Sequence, residues 1–180
     1  MRNSPANSRG RKKLSFDKNM LNHKEKIKSL DEILKIAEQA KKEGKKIVTT
    51  NGSFDLFHAG HIDLLQKAKA KGDILIVGVN SDKSVREYKK KPGRPIIPGK
   101  YRAELLAAII YVDYVFIFDD LIPNPWLDRI RPDVHANSAE YGTKCVETEV
   151  LDQYGGELFL VPKEDTPLST SGIEAKIKAS

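Results

Sequence analysis

The chain has 180 residues, 39% of them apolar and 31% charged, which suits one ordinary globular domain with a core and is too short for a large multidomain enzyme. Its longest apolar runs, such as residues 105–112, fall well short of the roughly 20 residues of a membrane span. No apolar segment of the secretory-signal kind follows the start, so a cytoplasmic location is expected.

The single cysteine, Cys145, excludes an internal disulfide and a zinc site built on several thiolates. The formal net charge of +6 is unevenly placed. Residues 1–28 carry nine Lys and Arg against two acids and the remainder 22 against 23, so the basicity belongs to an N-terminal tail. Poor in large apolar residues, this tail is expected to be flexible to about His23. It reads as an expression remnant or solubilising arm, or else as a polyanion-binding arm. The folded domain is expected over residues 29–180.

From Ser29 the pattern becomes regular. Ser29 and Glu32 form a capping-box signature, and Leu30, Ile33, Leu34 and Ala37 recur at helical spacing as far as Gly44. Residues 46–50 read as a short β-branched strand ending at the turn signal Asn51-Gly52. A second helix starts near His58 or Ala59 and ends at Gly72. The uninterrupted apolar run 74–79 predicts a parallel strand buried on both faces, at the centre of the sheet. Then follow a short helix over 82–88, a basic loop over 89–100, a helix over 101–110 and a strand over 114–118. A helix near 126–130, a strand over 133–136, a helix near 144–154, a strand over 157–161 and a last helix after Ser171 complete the chain. Strand and helix alternate throughout, which predicts an α/β fold of Rossmann-like type: a single domain with a doubly wound parallel sheet. Ligands in such folds bind beyond the carboxyl ends of the strands, here residues 51–61, 80–82, 136–142 and 162–171.

The first of these segments carries the chemistry. Two histidines three residues apart, His58 and His61, share one face at a helix start, and Gly60 between them lets a phosphate approach the backbone. The helix N-terminus adds free N–H groups and partial positive charge. The alternative is a capping pair of histidines, or a partly buried one packed on Phe54. No third ligand stands at zinc spacing, so a zinc hydrolase is not expected.

The run Gly52-x-Phe54-Asp55-x-x-His58-x-Gly60-His61 resembles the signature of the nucleotidyltransferase superfamily, which shares its His-x-Gly-His motif with class I aminoacyl-tRNA synthetases. Residues 46–52, Val79-Asn80-Ser81-Asp82, Arg94-Pro95 and Ser169-Thr170 make the chain most similar to the branch that forms ADP-heptose from heptose 1-phosphate. One departure stands at the mouth of the site, where Asn137-Ser138-Ala139-Glu140-Tyr141 replaces the branch's usual Lys-Gly-Gly-Asp-Tyr.

The resemblance implies transfer of a nucleoside monophosphate, AMP from ATP, to a sugar phosphate with release of pyrophosphate. It implies His58 and His61 as phosphate donors and Lys90 as the mobile lysine of the basic loop, with Lys89 and Lys91 as close competitors. Ser53, Phe54, Asp55, Gly60, Arg102, Ser169 and Thr170 are implied as nucleotide-binding positions. Simpler readings stand beside several of these: a solvated face for the lysine run, a surface ion pair for Arg102, plain N-capping for Ser169 and Thr170, and a loop-orienting turn for Asp55, with Asp82 similar. His135 reads as a core residue or, facing the site, as an acceptor contact, and Trp126 reads as packing. Mg2+ is expected to arrive with the triphosphate rather than in a protein cage. A homodimer is a weak expectation from the resemblance. The rival readings are a cytidylyltransferase acting on glycerol 3-phosphate or a related polyol phosphate, and a nucleotide- or nucleic-acid-binding protein without turnover.

Overall fold

The computed structural model describes residues 22–162 and 170–179. Its first long helix, α1 (Leu30–Lys42), opens with the capping box expected from sequence: the Ser29 hydroxyl accepts from the Glu32 N–H at 3.3 Å, and the Glu32 carboxylate accepts from the Ser29 N–H at 2.8 Å. The elements that follow are β1 (Ile47–Gly52), α2 (Ala59–Lys69), β2 (Ile74–Asn80), α3 (Asp82–Lys89), α4 (Gly99–Ala107), β3 (Tyr114–Phe118), α5 (Asn124–Ile130), β4 (Val134–Ser138), α6 (Val146–Asp152), β5 (Glu157–Val161) and α7 (Thr170–Ala179).

The five strands are parallel in the order β3-β2-β1-β4-β5. This is the expected doubly wound sheet, with one correction. β1 lies at the centre and β2 beside it. The apolar run of β2 reports burial on both faces, which any interior strand has, whereas β1 carries Thr49 and Thr50 and looks more polar than its position. Both threonines are nonetheless buried, and Thr49 Oγ1 lies 2.8 Å from Nδ1 of the equally buried His135 on β4.

Alternate residues of each strand feed two cores. Val48, Leu75, Val77, Val79, Val115, Val134 and Ala136 pack with Leu65 and Ala68 of α2 and with Ala103, Leu106 and Ala107 of α4. On the opposite face Ile47, Ile76, Phe116 and Phe118 meet Ile33, Ala37 and Ala40 of α1, Trp126, Leu127 and Ile130 of α5, and Val150 of α6. Trp126 is a core residue, its ring edge-on to Phe116 at 5.2 Å. Gly78 makes room for this aromatic cluster, since a Cβ there would lie 3.2 Å from Phe116, Phe118 and Trp126.

Residues 22–28, grouped with the basic tail by their charge, pack against the domain. Ile27 bridges to Val115, the Lys28 N–H donates to the Val115 carbonyl at 2.8 Å, and Lys26 Nζ donates to the Val112 carbonyl at 2.7 Å. They cover an edge of the sheet that would otherwise offer unpaired backbone groups. The remainder of the tail, residues 1–21, lies outside the described residues. Among the described residues no helix is long and apolar enough to cross a membrane.

Candidate active site

At the carboxyl end of β1 the chain turns through Phe54, whose φ of 47° and burial fix the loop before α2. His58 is the N-cap residue of α2, and its backbone N–H donates to Nδ1 of His61 at 3.3 Å. The two imidazoles stack with centroids 3.9 Å apart, and the His61 ring also meets Phe54 edge-on at 5.2 Å and Phe57 at 5.3 Å. Burial, then the nearby His58 and Lys89, push the His61 pKa down to about 4. His61 is therefore neutral at pH 7. Because Nδ1 accepts, the ring proton resides on Nε2, which makes Nε2–H a fixed donor that carries no charge of its own. Gly60 sits in the first turn of α2, between the two histidines in sequence.

The basic loop reaches the same corner. Lys89, the last residue of α3, is half-buried and places Nζ 3.1 Å from the Ser53 hydroxyl. Burial, then the neighbouring Arg94, lower its pKa. Lys90 takes the left-handed cap position after α3, with φ of 48°, and is exposed. Lys91 is exposed and pairs with Glu174 of α7. Of the three lysines, the structure thus brings Lys89 to the histidine corner. The sequence preference for Lys90 rests on loop alignment, and a one-residue difference in where α3 ends reverses the side on which a lysine lies.

Asp55 is buried and acts at long range. Its carboxylate accepts from the N–H groups of Ile96 at 2.8 Å and Ile97 at 2.9 Å, and from the Arg94 guanidinium. Burial alone would raise its pKa, but the Ile97 N–H, Arg94 and the Ile96 N–H together hold the carboxyl below the usual carboxylate range. Asp55 therefore orients a loop, though one 39 to 42 residues along the chain rather than its own turn.

Arg102 is a buried strut. Nε donates to the Ile97 carbonyl at 2.8 Å, Nη1 to the carbonyls of Ser53 at 2.5 Å and Asn80 at 2.8 Å, and Nη2 to Asp82 at 2.7 Å. Asp82 also accepts from the Gly99 N–H at 2.7 Å, which anchors the start of α4. Both oxygens of the Asp55 carboxylate are engaged, whereas Asp82 is held through Oδ1.

Thr170 begins α7, while Ser169 lies outside the described residues. Two residues outside the expected site positions join the site: Arg94, 5% exposed and read from sequence only as part of the Arg94-Pro95 resemblance, and its partner Glu174. Arg94 sits in a run of basic residues that reads as solvated, and nothing in the sequence marks it as buried. Asn137 is the penultimate residue of β4, and its side chain accepts from the Ser138 N–H at 2.9 Å.

The buried histidines make a pH prediction. Burial also drives the His135 pKa down to about 3. Both histidines stay neutral in the fold below pH 6.5, whereas the unfolded chain takes up their protons near that value, so the unfolded state binds more protons. Stability is therefore complete above about pH 6.5 and falls as the pH drops from there toward 4. Each site contributes up to about 2 kcal/mol of loss by pH 5, His61 less because it is partly exposed. Urea midpoints measured from pH 7.5 to 5 should fall steadily, and a level series would contradict the assignment.

A phosphate-ready helix start with two imidazoles, faced by a lysine and placed at the end of the central strand of a doubly wound sheet, defines a nucleotidyltransferase-type site. Residues 49–173 match the cytidylyltransferase-like family model, and the chain belongs to that family. The bifunctional protein HldE of Geobacter metallireducens is 43% identical over 155 residues, which is 86% of this chain and 31% of that protein. HldE of Wolinella succinogenes is 44% identical over 157 residues, 87% of this chain and 32% of that protein. The chain thus spans about a third of the length of these relatives. Among solved structures, the lipopolysaccharide core biosynthesis protein of Thermoplasma volcanium aligns with a TM-score of 0.55 at 27% identity, over 67% of this chain and 98% of that one. A pantoate-beta-alanine ligase of Francisella tularensis, at a TM-score of 0.58 and 16% identity over 84% of this chain and 76% of that one, shares the fold.

Proposed function

We propose that the chain transfers AMP from ATP to a sugar phosphate, with heptose 1-phosphate the leading acceptor, and releases pyrophosphate. The observation that carries this reading is the convergence of His58, His61 and Lys89 at the β1–α2 turn, in a chain over 40% identical to HldE proteins. The acceptor's phosphate monoester is ionised at neutral pH. One of its oxygens attacks the α-phosphorus, a new P–O bond forms as the α–β bridging bond breaks, and pyrophosphate leaves with that electron pair. No general base is needed. The work of the protein is to hold two polyanions in line and to set donors against the developing charge. His61 Nε2–H and His58 serve as those donors, Lys89 supplies the mobile charge, and the start of α7 at Thr170 receives phosphate through its backbone N–H groups. With Asp55 and Asp82 engaged by Arg94 and Arg102, Mg2+ is carried by the triphosphate and neutralises part of its charge.

An amide, Asn137, stands where the heptose branch carries a lysine, so the acceptor is the part of this reading to test first. The rival pair is a polyol phosphate such as glycerol 3-phosphate with CTP. Pyrophosphate release measured with ATP, CTP and GTP crossed against heptose 1-phosphate, glycerol 3-phosphate and hexose 1-phosphates decides between them. Silence across the grid would remove the transferase reading. With the active pair, Lys89→Ala is expected to lower kcat/KM about 100-fold or more and Lys90→Ala by less than about 5-fold. The reverse order would restore Lys90 as the mobile lysine.

A further inference from the structure

The basic corner carries more charge than its internal pairs absorb. Arg102 is matched by Asp82 and Arg94 by Asp55, while Lys89 Nζ bonds the neutral Ser53 hydroxyl. The acid that faces the rest of the corner is Glu174, one helical turn beyond Thr170 on α7. It accepts from Lys91 and forms an ion pair with Arg94, and its side chain is 16% exposed. Arg94 already has a buried carboxylate partner in Asp55, so Glu174 is not required to neutralise it. A carboxylate laid between a lysine and an arginine occupies the same pair of donors that a phosphate group takes.

Building on the phosphate-transfer reading above, we propose that Glu174 is an internal counter-anion: its carboxylate holds Lys91 and Arg94 when no nucleotide is bound and yields them to the β- and γ-phosphates of the incoming triphosphate. The exchange links the basic loop to the last helix, because the side chain that must withdraw belongs to the helix whose start receives phosphate. Counting the named side chains, four cations face three acids while Glu174 is in place and two acids when it withdraws. The corner is therefore near neutral at rest and becomes more positive as a polyanion arrives.

The test is calorimetric binding of inorganic tripolyphosphate to the full chain and to Glu174→Gln, at about 50 mM and 500 mM salt. Removing a competing anion should tighten binding by about 3- to 10-fold at low salt, with the gain shrinking at high salt. Glu174→Asp, which keeps the charge, should bind nearly as the natural chain does. A residue that merely braced α7 would give weaker binding in Glu174→Gln. That result, or unchanged affinity, overturns the role of Glu174 while leaving the phosphate site standing. If the natural chain itself fails to bind tripolyphosphate, the phosphate-site reading falls and the proposal with it.

Discussion

Alanine at His61 is expected to lower turnover by about 100- to 1,000-fold, the range seen when one fixed donor to a developing oxyanion is removed, while the domain remains folded. The ring makes two kinds of contact that must be separated. Its Nδ1 accepts from the His58 N–H and its faces meet Phe54, Phe57 and His58, so the substitution also loosens the start of α2, at a cost of about 1 kcal/mol for a lost cap. That loss lowers the melting temperature by a few degrees and leaves catalysis largely alone. The donor Nε2–H acts on charge that develops at the α-phosphorus, so its loss should appear in kcat with little change in KM. Alanine at His58 should act in the same direction. Loss of stability without loss of turnover in His61→Ala would return the pair to a capping role.

Much of this arrangement is legible from residue order, and what is not has identifiable physical causes. The alternation of β-branched runs with amphipathic segments specifies five strands and the helices between them, because hydrophobic period reports local exposure directly. The position of a strand within the sheet is a different kind of information. β2 appears central because its apolar run is unbroken, while β1, the true centre, is disguised by Thr49, whose hydroxyl finds its partner in His135, 86 residues away. The lysine run shows the same limit on a finer scale. The resemblance implies a phosphate-binding lysine within residues 89–91, but which one turns inward depends on the left-handed backbone at Lys90 that ends α3. Asp55 was legible as a loop-orienting residue, yet its partners at Arg94, Ile96 and Ile97 meet it only through the tertiary fold.

Arg102 is the residue whose sequence reading and structural setting differ most, and its substitution separates two roles cleanly. In the sequence it is a charged residue near a helix start, equally suited to a triphosphate contact or a surface ion pair. In the fold it is 1% exposed and satisfies the carbonyls of Ser53, Asn80 and Ile97 together with the Asp82 carboxylate. Arg102→Met preserves volume but leaves three carbonyls without that donor and removes the cation beside Asp82. Buried carbonyls left without a donor cost about 1–3 kcal/mol each, and for a domain of this size each kcal/mol moves the melting temperature by roughly 2–4 °C. A fall of roughly 10 °C is therefore expected in thermal denaturation. Arg102→Lys should recover less than half of it, because an ammonium lacks the planar fork that spans four acceptors. The same strut joins the turn carrying Ser53 to the loop carrying Ile97, so the spacing between the His58–His61 corner and Lys89 depends on it, and activity should fall together with stability. A triphosphate-binding arginine would behave differently: KM for the nucleotide would rise while the melting temperature stayed within a degree or two. The two outcomes do not overlap, so one melting curve beside one nucleotide titration places Arg102 either beneath the site or in it.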